Sequence, residues 1–173
     1  TELNHLREEY DSLRKQYSIA LNVFQNLRTE ISAYEEYSEM IEYGLYKPHF
    51  KFETSEKFKD EIAKVRDKQK EMIKDGLAAI GGDRITWNDS LAAMVKREKQ
   101  LMLRAFNGEC DSFIASVDWN NILRMEERIE KSFNAINRVY KTQGVSLSPR
   151  YKSLKLDELR LTHEYHVKRH EEQ

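Results

Sequence analysis

A heptad repeat over the first 34 residues is the feature that most restricts how this chain can fold. Apolar or aromatic residues recur there at alternating steps of three and four, and no glycine or proline interrupts residues 1–43. They are Leu3, Leu6, Tyr10, Leu13, Tyr17, Ala20, Phe24, Leu27, Ile31 and Tyr34. This spacing is typical of the a and d positions of a coiled coil. It predicts one helix of roughly 40 residues, about 60 Å long, over residues 1–42.

A helix of this length needs a partner along its apolar stripe. Tyr10, Tyr17 and Tyr34 stand where a tight dimer prefers Leu, Ile or Val, so packing looser than that of a leucine zipper is expected. Three arrangements would bury this stripe: self-association as a parallel dimer, folding back of the helix on the rest of the chain, or use of the stripe as a groove for a partner helix. We expect a homo-oligomer formed through residues 3–34.

The rest of the chain, residues 43–173, is expected to be one mixed helical body. The 173 residues contain only 6 Gly and 2 Pro, and 34% are charged, which favours long helices over a turn-rich β protein. The predicted fold class is α+β and predominantly helical. It consists of a long N-terminal coiled-coil helix, 1–42, followed by a body with a small antiparallel sheet, 43–173.

The sheet is predicted from two short regions. Residues 43–52 are rich in aromatic residues, and Phe50 and Phe52 alternate with Lys51, which predicts an edge strand near Pro48. Residues 77–80 and 84–87 flank Gly81-Gly82-Asp83, and paired glycines supply the positive φ angles of a hairpin turn. These segments would form three strands of one sheet.

Four further helices are predicted from capping residues and helical periodicity. Their expected N-caps are Thr54 or Ser55, Asn88 or Asp89, Asp118, and Ser148 followed by Pro149 at the first helical position. The first should end near Asp75-Gly76, and Gly144 should lie just beyond the third. The second should kink at Asn107-Gly108 and continue.

Charge and cysteine content limit the functional classes. The single Cys110 excludes an internal disulfide framework and fits a reducing, cytoplasmic setting. No stretch approaches the roughly 20 apolar residues that span a bilayer. Residues 1–42 hold 4 basic and 9 acidic residues, and the body is close to neutral, which disfavours duplex DNA as the main ligand. Because the chain starts without methionine and ends within a predicted helix, we expect it to be part of a longer protein.

Candidate catalytic and metal sites are weak. His163, His166 and His170 share one helical face, but their spacing is not that of a zinc protease, and an exposed polar face is expected. Gly81-Gly82-Asp83 is too short for a phosphate-binding loop. We therefore expect no catalytic residue, cofactor or metal in this chain.

The most distinctive polar insertion between apolar positions lies in residues 103–111. Arg104, Asn107 and Glu109 would either form a buried polar network at the expected kink or line a recognition pocket. Tyr46 and Phe50 would be aromatic anchors if the predicted edge strand is accessible. These five residues are the predicted binding site.

Four segments in order carry a resemblance to a known family. Residues 42–173 resemble domain of unknown function 4041, in which an N-terminal coiled coil is usual. The segments are EYGLYKPHFKF at 42–52, LRAFNGEC at 103–110, Asn120-Asn121 before Glu127-Arg128-Ile129, and KLDELRL at 155–161. The family signature has no established catalytic residues to transfer.

The resemblance implies a context for the chain. Such domains commonly precede a C-terminal GIY-YIG nuclease domain in bacterial and prophage proteins, some membrane-anchored and active in anti-phage defence. This implies a non-catalytic domain that positions the attached nuclease by binding a phage or host protein, with a phage tail component as one candidate. The alternative is a DNA-contacting domain that presents substrate to the nuclease, and an independent enzyme is a weaker third.

Overall fold

The computed structural model describes residues 1–44, 46–83, 88–118 and 120–173, without the side chains of residues 33, 34, 36, 37, 39 and 40. The described residues form two compact units, Thr1–Tyr46 and Lys47–Gln173. The predicted predominantly helical α+β class is confirmed, with five α-helices and a two-stranded antiparallel sheet in the described part.

The first unit is a single long helix. Helix α1 spans Glu2–Glu42, as its uninterrupted heptads predict. Its a and d side chains are more than half exposed from Leu3 to Ile31 wherever they are large. The side chain of Tyr34 lies outside the described residues. The apolar stripe is therefore open to solvent along most of the helix.

The second unit begins with an extended segment and helix α2, Ser55–Lys74. The predicted strand over residues 43–52 is wrong, because residues 46–52 form no strand. Phe50 and Phe52 instead pack against a core cluster that contains Phe58. The backbone N–H of His49 donates to Oε1 of Glu164 over 2.9 Å, which anchors the segment on the body.

Helix α2 has the predicted ends. Thr54 is the N-cap, and its hydroxyl accepts from the backbone N–H of Lys57. Asp75 is the C-cap, and Gly76 follows at a φ of +71°. This left-handed residue is what a helix end of this type requires.

The sheet pairs different segments from those predicted. Strand β1, Ala79–Gly81, is antiparallel to β2, Val145–Leu147, with Ile80 opposite Ser146. Residues 84–87, the expected second half of a hairpin, lie outside the described residues. Strand β2 was not predicted, because three residues are too few to show alternation.

Helices α3, Asp89–Ser116, and α4, Ile122–Val139, pack on each other and on the sheet. Asn88 caps α3, which runs without a break through Asn107-Gly108. Asp118 is not the N-cap of α4 as predicted, because that position is Asn121. The side-chain oxygen of Asn121 accepts from the backbone N–H of Asp118, and its side-chain amide donates to the carbonyl of Ser116. Asn121 therefore closes the α3–α4 turn.

Helix α5, Pro149–Glu172, is the central element of the second unit. It follows Ser148 and Pro149 as predicted and packs against α2, α3 and α4. Its buried positions occur on several faces, which is typical of a helix enclosed by others. The N-terminal Ser55 of α2 donates to the C-terminal Glu172 of α5, so these two helices run antiparallel.

No helix among the described residues is long and apolar enough to cross a lipid bilayer.

Candidate functional site

A cleft between α2 and α3, with α5 as its floor, is the main concave feature of the second unit. Its volume is about 760 Å³. Helix α2 contributes residues from Lys59 to Ile73, α3 contributes Asn107 to Ala115, and α5 contributes Tyr151 to His166. Two of the segments that carry the family resemblance, 103–110 and 155–161, therefore meet at this cleft.

The floor of the cleft holds a buried ionic cluster on α5. Glu158 is only 2% exposed, and its carboxylate accepts from Nε2 of Gln69 over 3.0 Å and from Nε of Arg66 over 3.2 Å. Nζ of Lys155, which is 4% exposed, lies 3.9 Å from Glu158 and 3.5 Å from Asp111. Buried charges are tolerated only with such partners, so the cluster joins α2 and α3 to α5.

A second polar contact links α3 to the start of α5. The Tyr151 hydroxyl donates to the side-chain oxygen of Asn107 in a short hydrogen bond. Burial raises the pKa of Tyr151 well above its usual range, although this hydrogen bond partly opposes the shift. Cys110, one turn along α3, is fully buried, and burial raises the pKa of its thiol to about 12. Both groups are therefore neutral at physiological pH.

The upper part of the cleft is mixed in character. Apolar side chains at its wall include Ile62, Ile73 and Ile114. Basic side chains at the same walls are Lys59, Arg66 and Lys70. An apolar surface with charges around it is suited to binding another macromolecule.

A smaller groove of about 580 Å³ adjoins the cleft. It is lined by Arg97, Leu101 and Arg104 of α3 and shares Ile73 and Asn107 with the cleft. Leu101 is 54% exposed and Ile73 is 43% exposed. Because two residues are common to both depressions, we treat them as one surface, the α2–α3 surface.

The structure brings together two of the five predicted binding residues. Arg104 and Asn107 both line the α2–α3 surface. Glu109 is exposed and lines neither depression. The expected buried network of Arg104, Asn107 and Glu109 is wrong, because both charged members are exposed and only Asn107 is half-buried.

The predicted aromatic anchors, Tyr46 and Phe50, are not exposed on an edge strand as expected. Tyr46 is only 3% exposed. Phe50 is half-buried and stacks on Phe52, with ring centroids 6.2 Å apart. Since no edge strand exists here, the condition for their predicted role is not met.

The three C-terminal histidines do not form the expected exposed face. His163 is fully buried, His166 is exposed and His170 is half-buried. Burial lowers the pKa of His163 to about 4, and its Nδ1 lies 2.9 Å from the carbonyl oxygen of Asp118. Among the described residues, no group of three or more His, Cys, Asp or Glu side chains is placed to hold a metal ion.

Sequence reasoning missed the floor of the cleft. Lys155 and Glu158 lie three positions apart on α5, between Leu154, Leu156 and Leu159. Leucines are usually buried, so leucines on both sides of two charged residues of one helix indicated that these charges are buried as well. Gln69 carried no comparable signal.

Comparison with known proteins identifies one family. A protein-family model described as SNIPE associated domain matches residues 55–170. The match includes every residue that lines the α2–α3 surface. It overlaps most of the segment that resembles domain of unknown function 4041, but it does not carry that family's name. No curated protein and no solved structure matches the chain.

Proposed function

The chain belongs to the SNIPE associated domain family, and from this we propose that it is the recognition and regulatory part of a bacterial anti-phage nuclease. In this proposal the domain has no catalytic role of its own. It binds a phage or host protein, of which a phage tail component is one candidate, and so positions an attached nuclease. The observation that carries the proposal is the α2–α3 surface.

The α2–α3 surface supports binding to a protein. It has exposed apolar residues, Ile73 and Leu101, beside the cations Arg97 and Arg104. Arginine and apolar side chains grouped at a depression are typical of residues that dominate protein interfaces. The floor of the adjoining cleft is fixed by the buried Lys155 and Glu158, so this part of the surface is formed before the partner arrives.

The reactive groups near the surface favour a binding role over catalysis. A nucleophilic cysteine needs a lowered pKa and access to solvent. Cys110 has neither, because it is fully buried and its pKa is raised to about 12. The buried His163, whose pKa is lowered to about 4, is also poorly suited to proton transfer near neutral pH.

The attached nuclease is inferred from the resemblance to domain of unknown function 4041. We infer that both family names describe one domain, and that the full-length protein carries a GIY-YIG nuclease after it. The domain would act in the cytoplasm, in a protein anchored to the inner membrane. Self-association through residues 3–34 of α1 would bring two or more copies together, since its apolar stripe is exposed.

A DNA-contacting domain is the second candidate. The walls of the α2–α3 surface carry five cations, Lys59, Arg66, Lys70, Arg97 and Arg104. Cations that neutralise phosphates release counterions, so this mode of binding must weaken steeply with salt. The acidic Asp67, Asp111 and Glu158 on the same surface weigh against it.

The test uses the complete 173-residue chain as bait. Lysates of phage-infected and uninfected bacteria, with and without nuclease treatment, are applied, and retained proteins are identified by mass spectrometry. Leu101→Glu and Arg104→Glu alter the surface. Val139→Glu is the matched control, because Val139 is 70% exposed on α4 and lines neither depression.

We expect wild type and the control to retain a phage or host protein even after nuclease treatment. The amount retained should fall at least about tenfold with each of the two surface variants. Retention that is equal for all four chains would refute recognition by this surface. Capture that disappears on nuclease treatment, with a steep salt dependence, would favour the DNA-contacting candidate.

A further inference from the structure

The charges beside the heptad stripe of α1 form a pattern that distinguishes parallel from antiparallel pairing of two such helices. With Leu3 at position a, the g positions are Glu2, Glu9, Gln16, Val23 and Glu30, and the e positions are Arg7, Arg14, Leu21, Arg28 and Glu35. In the first two heptads every g residue is acidic and every e residue is basic. Residues at e and g flank the interface and set partner choice and orientation in coiled coils.

We propose that α1 forms a parallel, in-register, two-stranded coiled coil with a second copy of this chain, specified by Glu2 and Glu9 against Arg7 and Arg14 of the second copy. This deepens the proposed function and rests on its self-association. In a parallel pair, a g residue faces the e residue five positions later on the other helix. Glu2 then faces Arg7 and Glu9 faces Arg14, and the symmetry doubles each pair.

The antiparallel arrangement is disfavoured by the same residues. In that arrangement g faces g and e faces e, so acidic residues such as Glu9 and Glu30 meet each other. In the same register the basic residues Arg7 and Arg28 meet likewise. Like charges at these positions are destabilising, so the parallel direction is selected.

The side chains needed for this interface are available on α1. Leu3, Leu6, Tyr10 and Leu13 are 61% to 64% exposed, so the first two heptads present an apolar stripe that their own unit does not cover. The carboxylate of Glu9 lies 3.4 Å from His5 of its own helix through one oxygen, which leaves the other oxygen for an arginine.

The middle of α1 supports a close pair of helices. Ala20 occupies a d position, where a small side chain lets the backbones approach. On either side Leu21 at e and Val23 at g are 42% and 52% exposed and widen the apolar face. Two strands also suit Tyr10 and Tyr17 at a positions, because a third strand would enclose their hydroxyls away from water.

The C-terminal part of α1 limits the paired region. Glu30 faces Glu35 in the parallel register, and residues 29–46 contain five acidic residues and no basic one. Repulsion there opposes pairing. The coiled coil is therefore strongest from Glu2 to Ile31.

The test uses two charge-reversed versions of the complete chain, Glu2→Lys/Glu9→Lys and Arg7→Glu/Arg14→Glu. Light scattering after gel filtration measures the mass of each alone and of their mixture. We expect wild type to have twice the 20.6 kDa of one chain. In each variant alone four attractive pairs become repulsive, so self-association should weaken about 100-fold, and the mixture should restore a heterodimer.

Register is tested with Leu6→Cys, a change at a d position. Oxidation should give a covalent dimer, because equivalent d residues face each other only in a parallel, in-register pair. The buried Cys110 serves as the unreactive background in wild type. A monomeric or trimeric wild type, charge-reversed variants that self-associate as strongly as wild type or more strongly, or no Leu6→Cys crosslink would overturn the proposal. None of these outcomes affects capture by the α2–α3 surface, whose variants lie in the other unit.

Discussion

Removing both members of the buried Lys155–Glu158 pair should cost less stability than the sum of the two single removals. Nζ of Lys155 and Oε1 of Glu158 are 3.9 Å apart, which at an effective dielectric constant of 20 corresponds to roughly 4 kcal/mol of attraction. Lys155→Met leaves Glu158 with Gln69 and Arg66 as donors, so we expect a loss of about 2–3 kcal/mol. Glu158→Leu leaves Lys155 with Asp111, whose side chain is 67% exposed, as its remaining carboxylate partner, so a loss of about 3–5 kcal/mol is expected.

The double variant Lys155→Met/Glu158→Leu separates pairing from packing. Apolar replacement of a buried ion pair is often nearly neutral. We therefore expect its loss to be no larger than that of Glu158→Leu alone, which gives a coupling energy of about 2 kcal/mol. Gln69 still donates to the carbonyl of Leu154 over 3.3 Å, so it keeps an acceptor.

The assay is urea unfolding at pH 7, read by tryptophan fluorescence, with a constant m-value as the condition for comparison. Lys131→Met is the matched control. Lys131 pairs with Glu127 at 2.9 Å, but both side chains are mostly exposed, so its loss should be below about 0.5 kcal/mol. Additive losses in the double variant, within about 0.5 kcal/mol, would refute the assignment of a coupled buried pair.

Three further predictions concern single residues. Gly81→Ala should cost at least about 3 kcal/mol, because its Cβ would stand 2.0 Å from the carbonyl oxygen of Gly144. Gly144 also has a positive φ, +70°, but an added Cβ would meet open space there, so Gly144→Ala should cost only about 1 kcal/mol. Equal losses for the two glycine variants in urea unfolding would contradict the clash at Gly81. Because burial lowers the pKa of His163 from its usual value of 6.5 to about 4, the unfolded chain takes up the proton first as pH falls. The contribution of neutral His163 to the free energy of unfolding is therefore fully present above pH 6.5, and this free energy should fall by about 2 kcal/mol between pH 7 and pH 5. His163→Gln should reduce this loss. A pH profile that is the same in the variant as in wild type would contradict the reasoning. Cys110, buried with a pKa near 12, should react with a thiol reagent only at the rate of unfolding, and rapid labelling of the native chain would refute its burial.

The helices were predictable because their signals are local. The heptads of α1, the hydroxyl of Thr54, the turn at Gly76 and the Ser148-Pro149 start of α5 each act within a few residues. Helix α3 continues past Asn107-Gly108 as predicted, which shows that one glycine need not end a helix. Gly108 costs about 1 kcal/mol in a helix interior, and packing of neighbours such as Phe106 and Cys110, both fully buried, exceeds this cost.

The sheet and the cleft were not predictable because they depend on distant pairings. Strand β1 pairs with β2 across more than 60 residues, and neither strand is long enough to carry a pattern of its own. The aromatic alternation of residues 50–52 indicates burial, but it cannot distinguish a strand from an extended segment packed on α2. The same limit explains Glu158, whose main partners Gln69 and Arg66 lie about 90 positions away.

The second unit separates the residues that hold it together from those that can contact a partner. The ionic floor of the cleft is buried, and its members fix α2 and α3 on α5, so their substitution is costly. Arg97, Leu101 and Arg104 line the adjoining groove on α3 and are exposed, where substitutions usually change stability by less than about 0.5 kcal/mol. Specificity for a partner can therefore change at the rim while the floor keeps the shape of the surface. Under the proposed function this division would let the rim follow a changing partner protein, because new rim side chains do not require a new fold.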